Sequence, residues 1–149
     1  MDKKVPIFDY VKPEENSGYL LWQVTMQWQL NMNRALGKIG LTLTQFSLLA
    51  GLYWLTEKKE LVTQQRLADY ANTDKMMTSK VLLTLEGKKL LSRADHPNDS
   101  RAKQLLITDD GVAALRAAYD LVKQVDSVYF KPIVDDKEVF DELLKKIIK

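Results

Sequence analysis

The sequence predicts a mainly α-helical domain with a small β-hairpin wing, a winged helix-turn-helix that dimerises through its N- and C-terminal helices. Three observations carry that reading. Two capped helices lie close together in mid-chain, the first only about two turns long. Two short strand-like runs around a polar loop follow them. The helices at both ends carry more apolar surface than one small lobe accounts for. A chain of 149 residues is the size of one ordinary domain and can bury a real core. Residues 1–149 are therefore read as one unit, with 1–38 and 109–149 as dimerisation helices and 42–108 as the winged lobe.

Residues 1–18 combine Pro6 and Pro13 with Val5, Ile7, Phe8 and Tyr10, the pattern of an extended arm that packs on something. The stretch from Trp22 to Asn33, WQVTMQWQLNMN, alternates apolar and polar residues and has the period of a half-buried strand. Twelve residues would be a long strand, and neither a turn signal nor a pairing strand is nearby. Wound at about 100° per residue, it becomes a helix with two apolar stripes: Trp22, Met26 and Leu30 on one side, Val24, Trp28 and Met32 on the other. Such a helix places one stripe on its own chain and the other on a second copy; the alternative buries both in one core.

Thr42 and Gln45 form a capping box, with Leu41 and Phe46 as its hydrophobic staple, so a helix should run from Leu43 to Leu55 and bury Phe46, Leu49, Ala50 and Tyr53. Thr63 caps a short helix, QQRLADYA, stapled by Val62 and Leu67. Only Asn72 and Thr73 separate it from the next cap, Asp74. The helix from Lys75 turns Thr78, Val81, Leu82 and Leu85 inward and leaves Lys75, Met76, Ser79 and Lys80 outward. Leu90 and Leu91 then begin one strand, HPNDS makes a turn, and RAKQLLIT forms the second strand, with Arg101 and Lys103 near the tip. Thr108 caps a helix with Asp109 and Asp110 in its first turn, where carboxylates suit the helix dipole. Val112, Leu115, Tyr119, Val122 and Val125 are its apolar stripe. Pro132 ends that region, and Asp135 with Glu138 opens a last helix whose Phe140, Leu143, Leu144, Ile147 and Ile148 need a partner surface.

Composition narrows the function classes. With 46% hydrophobic and 28% charged residues the chain reads as a soluble globular protein, and its longest apolar run, Leu48 to Leu55, is too short to span a bilayer. The N-terminus, MDKKVPIFDYVKPEENSG, lacks the apolar core and cleavage site of a secretory signal, so the expected location is the cytoplasm, with no membrane partner. The absence of cysteine excludes disulfides, thiol nucleophiles and thiol-based peroxide sensing. One histidine, His96, argues against a histidine-based zinc site or a Ser-His-Asp set and reads as a turn residue. Net charge is +2, yet residues 57–103 hold ten bases against seven acids, a weak basic excess over the middle third.

The run LTLTQFSLLAGL, then VTQQRLADYA, then TDKMMTSKVLLTLEGKKLLSR, then DSRAKQLLIT followed by DDG, resembles the MarR family of bacterial transcription regulators. The most specific piece is Asp99-x-Arg101-Ala102-Lys103 leading to Ile107-Thr108. The likeness extends over nearly the whole chain, including Leu20-Leu21-Trp22, and is nearest to a branch with Met-Met-Thr-Ser in the recognition helix. It implies a triangular helical homodimer on a pseudopalindromic operator in double-stranded DNA, often repressing neighbouring genes, with relief by a small, frequently aromatic effector and no other cofactor. It also implies that the helix from Lys75 enters the major groove and Arg101 the minor groove, with Asp99 holding that arginine. Physical chemistry suits these roles. Lys75, Ser79 and Lys80 can donate to base edges or phosphates, Met76 or Met77 can touch a thymine methyl, and Lys103 lies beside Arg101. An arginine suits a narrow minor groove. The helix starts at Thr63, with Gln64, and at Thr42 offer free amides to phosphates. The family's effector pocket would be walled here by Tyr19, Trp22 and Met26 with Leu49 and Tyr53. Two departures stand out: Lys89 occupies a position where glycine is usual, with Gly87 two residues earlier, and Leu83 one where arginine is common. The competing class is a winged-helix protein-interaction module without specific DNA binding. An enzyme ranks third, because no nucleophile-base pair or metal-ligand spacing is present.

Overall fold

The computed structural model describes residues 5–148, so the first four residues of the N-terminal arm and Lys149 lie outside it. The described residues form six helices, α1 (Ser17–Gly37), α2 (Leu43–Glu57), α3 (Gln64–Ala71), α4 (Lys75–Gly87), α5 (Asp109–Tyr129) and α6 (Lys137–Ile147), and one hairpin, β1 (Leu91–His96) and β2 (Asp99–Ile107), which meets α2, α3 and α4. Single 3₁₀ segments, Pro13–Glu15 and Lys131–Asp136, lead into α1 and α6. No single helix among the described residues is long and apolar enough to cross a membrane.

Local signals set the helix starts. Asn16, Thr42, Thr63, Asp74 and Thr108 each accept a hydrogen bond from the amide three residues on, which satisfies one of the free donors of a helix N-terminus. At Thr42 the capping box closes both ways, Gln45 N donating to Thr42 Oγ1 (3.1 Å) and Thr42 N to Gln45 Oε1 (3.2 Å). The last helix departs from the expected start: α6 follows Asp136, whose side chain makes no capping bond, because the 3₁₀ segment runs straight into it and replaces the cap expected of Asp135 with Glu138.

Helix ends share one device. The amides of Leu41, Glu60, Thr73 and Leu90 donate to the carbonyls of Leu36, Leu55, Ala68 and Leu85, each closing a six-residue loop. The residue before each donor, Gly40, Lys59, Asn72 or Lys89, has positive φ (74°, 64°, 53° and 62°). Lys89 therefore adopts the left-handed backbone for which glycine is suited, and α4 ends at Gly87. Gly87 itself is helical.

Two cores form. Leu48, Leu49, Leu52 and Leu55 of α2 meet Leu67, Leu82, Leu85, Leu91 and Leu105 in the winged lobe. Met32, Leu36 and Leu41 meet Ala118 and Val122 where α1 lies on α5. Within α2 the deepest side chains are the four leucines, whereas Phe46, Ala50 and Tyr53 are only half-buried. The expected stripe of α5 is corrected at Tyr119, which is exposed, while Ala118 beside it is fully buried. A close approach demands the small residue, since α5 crosses α1 there.

The hairpin pairs Leu91 with Ile107 through Asp95 with Lys103; an irregularity then brings His96 opposite Asp99 around Pro97 and Asn98. His96 Nδ1 accepts from Asn98 N (3.1 Å), a turn role. Leu105 N donates to Val62 O (2.7 Å), tying the wing to the α2–α3 connection.

The alternating stretch is helical and two-sided. Met32 is fully buried, and Trp28 Nε1 donates to Asp126 Oδ1 of α5 (2.9 Å), so that stripe packs on its own chain at Trp28 and Met32, while Val24 stays exposed. Trp22 and Leu30 on the other stripe are 61% and 60% exposed, and no side chain of α6 is fully buried in the chain, Phe140 and Leu144 being half-buried and Val139, Leu143 and Ile147 exposed.

Candidate nucleic-acid interface

Helix α4 is held by its inner face. Leu82 and Leu85 are fully buried, and buried Thr78 donates Oγ1 to Asp74 O (2.7 Å) while its hydroxyl also meets that of Thr73 (2.7 Å). The helix cannot roll without breaking that pair. Its outer face presents Lys75, Met76, Met77 and Lys80 to solvent, with Ser79 half-buried between them and Leu83 exposed one turn beyond Ser79.

A cleft of about 460 Å³ runs beside this face, lined by Thr63, Gln64, Gln65 and Ala68 of the α3 side, Lys75 of α4, and Arg93, Asp99, Arg101, Ala102 and Lys103 of the wing. The structure thus brings together elements far apart in sequence. Among the described residues neither Lys75, Lys80 nor Arg101 makes an ion pair, so three cations remain open to an anionic partner.

Several of the expected contact residues already have partners within the chain. Asp99 Oδ1 accepts from the backbone amide of Arg101 (2.9 Å), so it orients Arg101 through the main chain, with no pairing to the guanidinium. Lys103 donates to Asp95, its cross-strand partner, so its charge is engaged within the wing. That hydrogen bond and the lysine's charge hold the exposed Asp95 carboxyl below the usual aspartate range. Gln64 is likewise engaged, accepting from Arg93 Nη1 (3.3 Å), and Thr63 accepts from Arg66 N (3.2 Å) as a cap.

Arg93 is the residue that sequence reasoning missed. It pairs with Glu86 of α4 (Nε to Oε2, 2.6 Å) while reaching Gln64 of α3, and so pins the wing, α4 and α3 together. Period-two counting from buried Leu91 would have put it on the inward face. At the far corner, Arg66 pairs with Glu60 (2.8 Å); the hydrogen bond from Arg66 holds Glu60 low.

A second concavity, about 530 Å³, opens between α2 and α5, lined by Phe46, Ala50, Tyr53 and Trp54 and by Val112, Leu115, Arg116, Tyr119 and Val122. It is apolar apart from Arg116 and the tyrosine hydroxyls. Of the expected effector walls, Tyr53 alone lines it. Leu49 is fully buried in the lobe core, and Tyr19, Trp22 and Met26 lie on the exposed side of α1, away from this cavity. Helix geometry explains the division within α2: Phe46, Ala50 and Tyr53 recur at i, i+4 and i+7 and form one stripe toward α5, while the leucines turn to α3 and α4.

Comparison with known proteins agrees with this architecture. The MarR family model matches residues 41–103. The HTH-type transcriptional regulator YdcH of Bacillus subtilis (strain 168) is 36% identical over 137 residues, covering 92% of each chain. A mutant MarR from E. coli complexed with operator DNA superposes with a TM-score of 0.78 at 23% identity, covering 89% of this chain and 93% of that one. The PcaV regulator of Streptomyces coelicolor, in complex with its natural ligand, superposes at 0.80 with 20% identity, covering 94% and 96%. At those identities the two structures speak for the fold, and the near-full-length likeness to YdcH carries the relationship. The chain belongs to the MarR family of winged helix-turn-helix transcription regulators.

Proposed function

We propose that two copies of the chain pair through α1, α5 and α6 and bind a pseudopalindromic operator as a cytoplasmic repressor, released by a small aromatic effector. The observation that carries the reading is the outer face of α4, where Lys75 and Lys80 have no ion-pair partner among the described residues and stand beside a cleft that also holds Arg101. In this arrangement Lys75, Ser79 and Lys80 meet base edges or phosphates in the major groove, and Arg101 enters the adjacent minor groove. Lys103, Thr63 and Gln64 support the wing and the α3 start near the backbone. The winged lobe, residues 42–108, reads DNA; the terminal helices hold the copies together. E. coli MarR, solved with operator DNA, supports the first half of this reading.

Dimerisation follows from the apolar surface left over. The Trp22, Met26 and Leu30 stripe and Val139, Leu143 and Ile147 of α6 are exposed in one chain, and a second copy related by a two-fold axis would cover them. The axis would set two α4 helices about 34 Å apart, one turn of duplex. The effector would lie in the α2–α5 cavity, with its rings among Tyr53, Trp54 and Tyr119 and any anionic group toward Arg116. PcaV, solved with its natural ligand, supports a ligand-responsive fold. Release requires the ligand to favour a different separation of the α4 helices, since equal affinity for both states shifts nothing. No catalytic step enters this function.

The test is selection of bound duplexes from a random pool, repeated with aromatic acids present. Enrichment of an inverted repeat whose binding weakens steeply with salt is the expected result. Failure to enrich any repeat, or binding without a salt slope, refutes the proposal in favour of a protein-interaction module.

A further inference from the structure

The outer face of α4 holds a feature that charge does not account for. Met76, Lys80 and Leu83 recur at i, i+4 and i+7, so one stripe of the DNA-reading helix is apolar at both ends with a lysine between. Met76 is 74% exposed, nearly twice Met77, and it belongs to neither apolar core. A long apolar side chain held in water has no role in stabilising the lobe.

We infer that Met76 is a specificity-determining residue that reads the 5-methyl group of a thymine in each operator half-site. The inference rests on the DNA-binding reading above. Met76 stands two residues after the Asp74 cap, in the first turn of α4, and the first turn of such a helix is the part that meets base edges. Its thioether is a weak acceptor and donates nothing, so it cannot read the amino groups or the N7 and O6 acceptors of purines with any strength. Of the features displayed in the major groove, the thymine methyl is the one that an apolar side chain complements. The flanking side chains, Lys75, Ser79 and Lys80, are all donors and supply the polar contacts around it. An unbranched methionine can follow the methyl without steric penalty.

The magnitude is that of one buried methyl group. Removing it costs about four-fold in affinity per half-site, and about 15-fold when both halves of a symmetric operator are changed. The experiment takes the duplex recovered by selection and replaces its thymines with deoxyuridine one symmetric pair at a time, which deletes the methyl and leaves every hydrogen-bonding group. Anisotropy of a labelled duplex gives the affinity for the parent protein, Met76→Ala and Leu83→Ala. One thymine pair should show the loss with the parent and with Leu83→Ala, and none with Met76→Ala. The Met76→Ala protein should keep the parent's salt dependence, because no phosphate contact is removed. Full sensitivity to deoxyuridine in Met76→Ala, its disappearance in Leu83→Ala instead, or no sensitive thymine in an otherwise specific operator would overturn the inference while leaving operator binding intact. A selection that enriches no repeat overturns both.

Discussion

Gly51, Gly87 and Gly111 sit in helices with very different surroundings, so the same change, glycine to alanine, should have opposite signs at different sites. A Cβ on Gly111 would lie 2.0 Å from the carbonyl oxygen of Leu90 and 2.9 Å from Ile107 Cγ1. Ordinary carbon-to-oxygen approach is about 3.3 Å, so the start of α5 would have to retreat by more than an ångström from the α4–β1 connection. That junction is bonded on both sides of the clash: Thr108 N donates to Leu90 O (3.2 Å) and Thr108 Oγ1 to Lys89 O (2.7 Å). Losing two such bonds at about 1 kcal/mol each, with overpacking of about 1–3 kcal/mol, gives a destabilisation of about 3–5 kcal/mol. Helix propensity returns less than about 1 kcal/mol. The net, about 3 kcal/mol, corresponds to a fall in Tm of about 10 °C for a chain of this size. Gly87→Ala meets nothing within 4 Å at the end of α4 and should raise stability by about 0.5–1 kcal/mol. Gly51→Ala lies between: its new methyl meets Leu67 Cδ1 at 3.0 Å in the lobe core and the Tyr70 ring at 3.2 Å, so both must shift by a few tenths of an ångström and that strain offsets the propensity gain. Urea and thermal unfolding followed by circular dichroism at one fixed protomer concentration rank the three. A Gly111→Ala protein that melts within about 1 °C of the parent would refute the reasoning from the Leu90 contact.

Other expectations follow from the same geometry. Lys89 holds φ of 62° at the end of α4, so Lys89→Gly should gain up to about 1 kcal/mol in urea unfolding; a loss would mean that its side chain, not its backbone, matters. Arg101→Ala should melt like the parent but bind operator more weakly, with the slope of log affinity against log salt reduced by about one; an unchanged slope removes Arg101 from the phosphate-lined groove. Because the Asp95 carboxyl is held low in the folded chain, its pairing with Lys103 is present above the ordinary aspartate range and is lost as pH falls through the lowered value. Lys103→Met should move the Asp95 carboxyl titration, read by NMR, back up toward that range, and a titration that stays put would assign the shift to something else.

The parts of the fold legible in the sequence are those decided within a few residues. Thr42, Thr63, Asp74 and Thr108 declare their helices through caps that depend on the next three amides alone. The two faces of the Trp22–Asn33 helix follow from angular spacing, and Met32 and Trp22 duly differ in burial. What could not be read depends on how elements meet. The cavity walls needed the crossing of α2 with α5, which turns Phe46 and Tyr53 one way and Leu49 the other. Arg93 needed the distance from the wing to Glu86, seven residues away in sequence but on another element. Asp135 lost its capping role because a 3₁₀ segment, selected by Pro132, carries the chain into α6 without a break. Gly87 was visible, but the positive φ lay at Lys89, where nothing in the side chain announces it.

Leu90 shows how the two halves of the chain are coupled. It packs against both cores, its amide closes the end of α4 on Leu85, and its carbonyl receives Thr108 at the start of α5. Helix α5 then runs without interruption from Gly111 at that junction, past the cavity wall at Leu115 and Tyr119, to Asp126, where it holds Trp28 of α1. Any group that pushed α5 away from α2 would therefore act on a rod fixed at one end to α4 and at the other to the helix with the exposed apolar stripe. Packed helices of this kind answer by small rigid-body shifts and not by local bending, because their interiors are close to crystalline density. The wing and α4 would move as one piece, since Arg93 bonds to Glu86 and Gln64. Arg93→Ala should accordingly leave the cavity unaltered while loosening that link. An effector would still bind such a variant, but its effect on operator affinity would shrink, and equal effector response in the variant and the parent would show that coupling bypasses Arg93.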